Sequence, residues 1–540
     1  MEEQNEKEAL LKAELSPTSS FRKKQDNSME EENDILYNNN NSTTATTKYT
    51  ITSYLNEIGA NNFHYILALT MGLGNASDAT EIIAMNYYIS SDDFLLDFGD
   101  SLHLEVLTSA IFFGMLLGGI CAGYLGDAIG RRKALLLTLG VNAISGVLSA
   151  LTSSIFFLSL CRFIAGIGVG GTVPLIFTLS AEMLPTKTRG FFLTLVASFW
   201  MVGSLFTSFI AYILLAKLNV SWRLFAFVCA LPSALTVFCV LLFIPESPRR
   251  LYLRQKYQDT IRVLNKINSY KKYFMVKQDD DHNNYDPLSS STPPQLTMQN
   301  FHVPDRLNVE DGGDIQGVNN EVTFIEQSKK IYSNKKSIYL MLLLQSLWFF
   351  LSFSNYGLMT WITTIFKTIK IADPYLDSII FAAGGLPANI LSAYYMDALG
   401  GRKVMILSMG LGSIMLFCFA FEVGYAYPDN ISFIIVLTAC LFNAFATSSW
   451  NALDIMSTET FPTDVRSTVM GYLSASGRIG AIAGQIVNAQ LINNPTMLIF
   501  SSGMIMVLGT IAPMFLPDMS GQNLQERSDG DKCSDDDVDA

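Results

Sequence analysis

The chain has 540 residues, of which 50% are apolar and only 16% are charged. Because an average soluble protein carries about 25% charged residues, this composition excludes a string of soluble domains and requires that much apolar surface face a medium other than water. The net charge of −12 lies mainly in the polar ends of the chain. It therefore gives no reason to expect a cationic substrate, and no basic stripe indicates a nucleic-acid partner.

Residues 1–62 form a polar segment with too little apolar surface to build a core, and we expect a disordered cytoplasmic tail there. Apolar stretches follow that are long enough to cross the roughly 30 Å hydrocarbon layer of a membrane as helices. The twelve predicted spans cover residues 63–89, 106–126, 134–153, 155–180, 191–215, 223–244, 338–366, 375–396, 404–424, 431–456, 467–491 and 496–516.

A long polar connection separates the first six predicted spans from the last six. It is predicted to begin as a short amphipathic helix from Leu251 to Lys272 and then to become disordered. The predicted fold class is all-α and integral to a membrane, with two six-helix bundles. The predicted organisation is an N-terminal tail (1–62), a first bundle (63–250), a central loop (251–336), a second bundle (337–517) and an acidic tail (518–540).

The distribution of Lys and Arg in the short loops predicts the orientation, because loops rich in these residues stay in the cytoplasm. Eight lie on the side of the central loop and four on the opposite side. Both termini and the central loop are therefore predicted to be cytoplasmic. The sequence does not distinguish a plasma membrane from an endosomal or vesicular one.

The two predicted bundles repeat each other's loop sequences. Residues 123–133 (GYLGDAIGRRK) match residues 393–403 (AYYMDALGGRK) at six of eleven positions. Residues 181–190 (AEMLPTKTRG) match residues 458–467 (TETFPTDVRS) at four of ten positions. A parallel duplication predicts two like bundles related by an axis along the membrane normal, with a substrate site between them near the midplane.

Several of these motifs resemble signatures of the major facilitator superfamily. Residues 123–133 are similar to its loop motif between spans two and three, and residues 162–168 (RFIAGIG) to its span-four motif. Residues 245–249 (PESPR) resemble the sugar-porter and organic-ion branch. Residues 78–81 (DATE) and 478–481 (RIGA) look like the synaptic-vesicle-protein-related transporters, which are grouped with bacterial carriers of aromatic acids and nicotinate. The resemblance implies the twelve-helix fold of that superfamily.

Three charged residues are predicted to lie inside the first bundle. Asp78 and Glu81 are three residues apart, so they share one helix face, and a carboxylate in hydrocarbon costs at least ~2.5 kcal/mol. Two like charges this close favour the binding of a proton. Arg162 needs an anionic partner, for which Asp78 or Glu81 is the natural candidate. The resemblance implies a role in proton coupling, and the alternative is a salt bridge that only holds the bundle together.

Arg478, near the centre of span eleven, is the best candidate to hold an anionic substrate, because guanidinium and carboxylate match through two hydrogen bonds. Asp454 in span ten is a second candidate on the substrate path, or a partner that neutralises Arg478. Other polar or amphipathic side chains in spans seven and ten line this path or simply pack between helices. They are Gln345, Asn355, Tyr356, Trp361 and Asn451.

A second group of charges lies at the predicted cytoplasmic edge, too shallow to touch a substrate at the midplane. Its acidic and basic members recur in both halves, so we expect a charge network that forms and parts as an inner gate closes and opens. The alternative is that these charges only set the topology and cap helices. They are Asp127, Arg131, Arg132, Glu182, Arg189, Asp397, Arg402, Lys403, Glu459 and Arg466.

The predicted function is secondary active transport of a small organic anion or other polar metabolite by alternating access, coupled to protons. A sugar is the alternative substrate, and a non-transporting membrane receptor or scaffold with partners at its cytoplasmic tails is the alternative function. The charged residues inside the membrane favour transport over a scaffold. Each one destabilises the protein, and a scaffold would have no use for it. The sequence predicts no enzyme activity, cofactor or metal site, and it contains no P-loop for ATP.

Overall fold

The computed structural model describes residues 49–99, 103–270, 295–302, 324–425, 432–461 and 465–516. Two compact units are distinguished. The smaller comprises residues 1–49 and 299–302, and in its described part Tyr49 forms a parallel bridge with Phe301. The larger comprises residues 50–298 and 303–540 and contains every helix of the described ranges. Most of the N-terminal tail and much of the central loop, where disorder is predicted, lie outside the described residues, as does the acidic tail.

The first half of the larger unit is a bundle of long helices with short helices at its ends. In chain order these are α1 (Ile51–Ile58), α2 (Asn62–Ser90), α3 (Asp92–Phe98), α4 (Leu104–Ile129), α5 (Arg131–Leu151), α6 (Ile155–Met183), α7 (Arg189–Ala211, continued by a π-helical segment Tyr212–Lys217), α8 (Trp222–Phe243), α9 (Pro248–Leu253) and α10 (Tyr257–Asn268).

The second half repeats this arrangement, with two of its spans divided into two helices each. Its helices are α11 (Phe324–Ser333), α12 (Lys335–Met359), α13 (Ile362–Thr368), α14 (Pro374–Ala383), α15 (Gly385–Leu399), α16 (Gly401–Tyr425), α17 (Ser432–Glu459), α18 (Arg466–Leu491) and α19 (Pro495–Ile511, followed by a 3-10 turn to Phe515). We call the end of the bundles that carries residues 244–270 and 324–334 the loop end. The opposite end, with residues 91–99, 218–221 and 369–373, is the far end.

Ten spans in the described part of the chain are long and apolar enough to cross a membrane. Helices α2 and α18 have the required length but a lower hydropathy, because polar and charged residues lie in their middle turns, among them Asp78, Glu81 and Arg478. Together with these two, the bundles contain the twelve membrane helices that the sequence predicts. These two spans bring three charged residues into the interior, and Arg162 of α6 adds a fourth.

Span seven, predicted as one helix over 338–366, is broken in the structure after α12. Gln485 of α18 stabilises the break: its Nε2 donates to the Tyr356 carbonyl and to the Thr360 hydroxyl, each at 2.8 Å. In return, Trp361 Nε1 donates to Gln485 Oε1 at 3.0 Å. The prediction of a continuous helix is wrong because a side chain 125 residues away in sequence binds groups at the break.

Span eight, predicted as one helix over 375–396, is likewise divided, at Gly384 between α14 and α15. Asn443 of α17 donates from Nδ2 to the carbonyl of Phe381 at 2.8 Å. A polar side chain from a neighbouring helix therefore again accompanies an interruption inside a membrane span, where backbone groups have no water to bind.

Both halves turn sharply at the loop end between their second and third spans, and a glycine makes each turn possible. Gly130 has a φ of 117° and Gly400 a φ of 82°, backbone values that residues with a side chain rarely adopt. At Gly130 a Cβ atom would also lie 2.4 Å from Glu246 Oε2 and 2.7 Å from an Arg250 nitrogen. The duplicated loop motif therefore specifies the same turn twice.

Short helices at the loop end differ from the sequence prediction in two respects. The amphipathic helix predicted from Leu251 to Lys272 is two helices, α9 and α10, separated at Gln255, whose φ is 59°. Helix α1 lies inside the segment 1–62, so ordered structure begins before the first span. It is held there by contacts with α10: the Tyr54 hydroxyl donates to Asn265 Oδ1 at 3.3 Å.

The two halves pack against each other along a seam formed mainly by α4 against α18 and by α7 against α14. At the far end, α13 packs against α2, and Asn86 exchanges two hydrogen bonds with Thr363, at 2.7 and 3.1 Å. Lys367 of α13 donates to the Ser90 carbonyl at 2.9 Å and to the Asp92 carboxylate at 2.5 Å. The far end is thus closed by hydrogen bonds that cross from one half to the other.

Replacing Gly130 by Ala should destabilise the protein, because it forces a side chain into a left-handed backbone and onto Glu246 and Arg250. A strained residue of this kind costs about 1–3 kcal/mol. We expect a lower midpoint of thermal unfolding in detergent. Gly123→Ala is the matched control, because it lies in the same loop motif within α4 and a Cβ there meets nothing within 4 Å. Equal midpoints for the two variants would contradict this account of the turn.

Candidate functional site

A fully buried ion pair joins α2 and α6 inside the first half. An Arg162 guanidinium nitrogen lies 2.7 Å from Glu81 Oε2, and the second nitrogen donates to Ser149 Oγ at 2.7 Å. The two charged side chains are 0% and 1% exposed. Tyr88 lies beneath the guanidinium with its ring centre 5.5 Å away. Of the two carboxylates that the sequence offers as partners of Arg162, the structure selects Glu81.

The space for Glu81 depends on a glycine of α5. A Cβ atom at Gly146 would lie 2.5 Å from Glu81 Oε1 and 2.8 Å from the Cβ of Ala230. Any larger residue at this position would therefore push Glu81 away from Arg162. Gly146 of α5 therefore leaves the space that the Glu81 carboxylate occupies.

Asp78 lies on the same helix but in a different environment. It is 0% exposed and accepts one long hydrogen bond, 3.4 Å, from Asn142 Nδ2. The same Nδ2 donates to Ser233 Oγ at 2.9 Å, and Ser233 donates to Ser77 Oγ at 3.2 Å. The second oxygen of Asp78, Oδ2, has no hydrogen-bond partner. A buried carboxylate oxygen without a partner is costly unless it carries a proton or attracts a positive charge.

Asp78 and Arg478 occupy matching levels on the two sides of the seam. Ile82 of α2 belongs to one apolar cluster with Ala481 and Ile482 of α18. Asp78 precedes Ile82 by four residues, and Arg478 precedes Ile482 by four. Since both helices begin at the loop end, both charges lie one turn toward that end from the cluster.

A row of aromatic rings runs from the first half into the second beside Arg478. The Phe112 ring of α4 lies 5.5 Å from that of Tyr356, which lies 5.7 Å from Trp450, which in turn lies 5.5 Å from Trp348. The Arg478 guanidinium is 5.9 Å from the centre of the Tyr356 ring. The arrangement combines a half-buried positive charge with several apolar ring faces.

Most other predicted substrate-path residues bind neighbouring helices in this structure. Asn355 accepts from Trp450 Nε1 at 3.2 Å. Asn451 donates to Asn389 Oδ1 at 2.8 Å and to Ser392 Oγ at 2.6 Å. Trp361, fully buried, is bound to Gln485 as described above. These contacts hold the second half together, and a role on the substrate path stays a prediction for each of these residues.

Asp454 is exposed on α17, three and four residues after Asn451 and Trp450, and therefore lies on the same helix face. Within the described ranges it forms no ion pair with Arg478, whose guanidinium lies over the Tyr356 ring. The predicted neutralisation of Arg478 by Asp454 is thus not observed there. Gln345 is half-buried on α12.

The predicted gate charges of the first half bind within that half. Arg131 contacts Asp127 at 2.8 Å and Glu182 at 3.7 Å, which joins the ends of α4, α5 and α6. Of the second-half members, Lys403 is exposed and Glu459 is partly buried, while the side chain of Asp397 lies outside the described residues.

Arg132 and Arg402 occupy corresponding positions of the duplicated motif, and each donates hydrogen bonds to a carbonyl group within its own half. Arg132 donates to the Leu241 carbonyl at 3.0 Å, near the end of the sixth span. Arg402 donates to the Pro513 carbonyl at 3.1 Å, near the end of the twelfth. Each guanidinium thus caps the C-terminal end of the last membrane span of its own half, where the carbonyl groups lack helical partners.

Arg189 and Arg466 also correspond, in the second duplicated motif. Arg189 donates to the Leu184 carbonyl at 3.4 Å, and Arg466 to the Phe461 carbonyl at 3.5 Å. Both bonds brace the turn before the fifth span of the respective half. These contacts agree with a capping role, and a gating role for the whole group stays a prediction.

The sequence analysis missed several residues that build these sites. Asn142 and Ser149 supply hydrogen bonds to Asp78 and Arg162, and Gln485 stabilises the broken span. At the loop end, Arg250 and Arg254 both donate to the last carbonyls of α4. The available signal was a polar residue inside an apolar span, which does not say what the side chain contacts.

Comparison with known proteins gives one matching family model and several relatives of similar length. The family model described as "Sugar (and other) transporter" matches residues 27–300 and 302–529. Synaptic vesicle glycoprotein 2A of Rattus norvegicus is 22% identical over 613 residues, covering 87% of this chain and 79% of that protein. Synaptic vesicle glycoprotein 2B of Homo sapiens is 23% identical over 579 residues, covering 81% of each.

Among solved structures, the inward open conformation of the xylose transporter XylE from E. coli superposes with a TM-score of 0.64 at 18% identity. The alignment covers 86% of this chain and 99% of that one. The crystal structure of a D-xylose-proton symporter gives a TM-score of 0.62 at 18% identity, over 86% and 100% of the two chains. At these identities the comparison establishes the fold.

Removing one partner of the Glu81–Arg162 pair should be more damaging than removing both. Glu81→Met leaves a buried guanidinium uncompensated, and such a break costs about 3–5 kcal/mol. The double variant Glu81→Met/Arg162→Met removes both charges and should unfold at a higher temperature than either single variant. Midpoints of thermal unfolding in detergent measure this. If the three variants lose stability additively, the two side chains are not coupled.

Proposed function

The chain belongs to the sugar (and other) transporter family of the major facilitator superfamily, and we propose that it carries a small organic anion together with a proton. As a member it is a multi-pass membrane transporter, and the substrate class and coupling ion are our proposals. The observation that carries them is the position of Arg478, a half-buried guanidinium beside the Tyr356 ring, which packs on Phe112 of the other half.

An anion is the substrate that this position favours. Guanidinium stays protonated and presents a planar set of donors that matches a carboxylate. The rings of Tyr356 and Trp450 beside it offer apolar faces for the rest of a small molecule. We therefore propose a monocarboxylate, preferably one with a planar or aromatic body.

Proton coupling is proposed for the charged residues of the first half. Asp78 is buried with one free oxygen, so we assign it the proton. The carboxylate of Glu81 is engaged by Arg162, so this pair is proposed to hold α2 and α6 in register beside Asp78. A proton moving with a carboxylate would let a pH gradient drive uptake.

Alternating access is proposed to follow from the contacts at the two ends. The hydrogen bonds of Asn86 and Lys367 close the far end, and they must part when that end opens. We propose that the loop-end charges then form the opposing closure. The excess of Lys and Arg in the loop-end turns supports a cytoplasmic position for this end, the central loop and both termini.

A sugar is the second candidate substrate. The amide side chains Asn355 and Asn451 line the second half, and neutral amides bind hydroxyl groups well. The solved relatives are a xylose transporter and a D-xylose-proton symporter. A neutral sugar, however, gives no reason for the charge of Arg478 at the seam.

Uptake into proteoliposomes under an imposed pH gradient tests the proposal, with benzoate, other monocarboxylates, sugars and amino acids as substrates. We expect benzoate to accumulate in response to the gradient. Arg478→Gln should reduce this uptake at least about tenfold, because a charge-assisted hydrogen bond contributes about 1.5–3 kcal/mol.

Arg262→Gln is the control, since that arginine is 78% exposed on the short helix α10 and pairs only with Asp259 among described residues. Its uptake should match that of the unmodified protein. Accumulation of a sugar but of no carboxylate would replace the anion proposal by the sugar alternative. Transport of nothing on the panel would favour the receptor or scaffold reading.

A further inference from the structure

Two arginine side chains meet at the loop end of the second membrane span. Arg250 lies on the short helix α9, and Arg254 is the residue that ends this helix. The Nη2 atoms of both arginines donate to the same two carbonyl groups, those of Asp127 and Ala128 at the end of α4. The four distances lie between 2.8 and 3.2 Å. Because the two guanidinium groups share both acceptors, they lie side by side.

The positive charge of this arginine pair is only partly compensated. The C-terminal end of a helix carries about half an elementary negative charge, whereas the pair brings two positive charges. Among the residues that the structure describes, no carboxylate forms an ion pair with either arginine. The carboxylates nearby are engaged elsewhere: Asp127 contacts Arg131 at 2.8 Å, and Glu246 accepts from the backbone N–H groups of Arg132 and Ser247 at 3.1 and 3.2 Å.

The pair also has donor capacity that the protein leaves unused. The Nε atom of Arg250 is buried and has no hydrogen-bond partner. Burial, together with the neighbouring charge of Arg254, lowers the pKa of Arg250 from its ordinary value. An unused donor beside a second guanidinium favours an anion with several acceptor oxygens. Phosphate is such an anion, and its oxygens match the planar donor sets of arginine.

The surroundings of the pair favour a phosphate that belongs to the membrane. Ile129, the last residue of α4, is 40% exposed, and Leu253, next to Arg254, is 73% exposed. Apolar side chains exposed where a span ends lie close to the level of the lipid headgroups. The excess of Lys and Arg predicts a cytoplasmic position for the loop end, and the cytoplasmic leaflet is the one that carries anionic lipids.

We propose that Arg250 and Arg254 bind a phosphate group between their guanidiniums at the end of α4, and that this phosphate is the headgroup of an anionic phospholipid. A phosphomonoester headgroup, as in phosphatidic acid, carries up to two negative charges and so neutralises both arginines. Ile129 and Leu253 contact the upper part of the acyl chains. The bound headgroup fastens α9 to α4 and stabilises the first half, whatever substrate the protein carries.

Thermal unfolding of the full chain in a nonionic detergent tests the site. The probes are phosphatidic acid, phosphatidylglycerol, phosphatidylcholine and inorganic phosphate. We expect phosphatidic acid to raise the midpoint by a few degrees, because a ligand that binds only the folded state stabilises it. Phosphatidylglycerol, a phosphodiester with one negative charge, should raise the midpoint less, and phosphatidylcholine should leave it unchanged.

The same experiment distinguishes the two sources of phosphate. If inorganic phosphate raises the midpoint as much as phosphatidic acid does, the phosphate site stands and its occupant is a soluble phosphate compound. Equal shifts with phosphatidic acid and phosphatidylcholine would mean that the headgroup charge is not recognised, and they would overturn the proposal.

Arg254→Gln removes one guanidinium of the pair and leaves the contacts of Arg250 with α4 in place. It should weaken the binding of phosphatidic acid about tenfold, because a charge-assisted hydrogen bond is lost. Arg254→Lys keeps the charge without the planar donor set, so its affinity should lie between the two. Lys256→Gln is the matched control, because Lys256 is exposed on the same segment and takes no part in the contacts with α4. Equal losses in Arg254→Gln and Lys256→Gln would show attraction to general surface charge and reject the site.

Native mass spectrometry counts the bound lipid without depending on thermal stability. The double variant Arg250→Gln/Arg254→Gln should lose one tightly bound phosphatidic acid per chain and keep the weakly bound lipids of the membrane belt. Retention of the tightly bound lipid would overturn the proposal. If the double variant does not fold, the same count on Arg254→Gln and Arg254→Lys decides the question.

Discussion

Charge inside a membrane-embedded bundle has to be neutralised by the protein, because neither water nor salt is available there. The Glu81–Arg162 pair meets this requirement with a charge-assisted hydrogen bond, a serine hydroxyl and an aromatic ring around one guanidinium. The rest of the first half is arranged around it: α5 has a glycine where Glu81 needs space, and α2 and α6 are fixed to each other at mid-depth. Asp78 lies one helical turn away, is equally buried and takes no part in this ion pair.

The two halves share one frame, by which we mean the turns and helix caps at the loop end, and they differ in the side chains of their interior. The frame is repeated in detail: Gly130 and Gly400 make the same turn, and Arg132 and Arg402 cap the same helix end. The interior is not repeated. The first half holds the buried acidic and basic residues, whereas the second half supplies aromatic rings and one guanidinium at the seam. The proposed proton site therefore belongs to the first half, and the proposed substrate site belongs to the second half beside the seam.

Such a division suits a transporter that alternates between two arrangements. Rigid duplicated frames can rock as units, while contacts across the seam decide which arrangement is stable. In this structure, hydrogen bonds of Asn86 and Lys367 hold the far end closed.

The sequence by itself determined the membrane helices, the duplication and the residues that bring charge into the interior. These features depend on composition and on spacing along one helix, which a sequence displays directly. It predicted that Arg162 needs a carboxylate, but only the tertiary structure decided between Asp78 and Glu81, because both lie on the same helix face. The same is true of the breaks in spans seven and eight, where Gln485 and Asn443 arrive from distant helices. The hydropathy of a segment predicts whether it lies in the membrane. Which side chains contact each other depends on how the helices pack, and this is seen only in the tertiary structure.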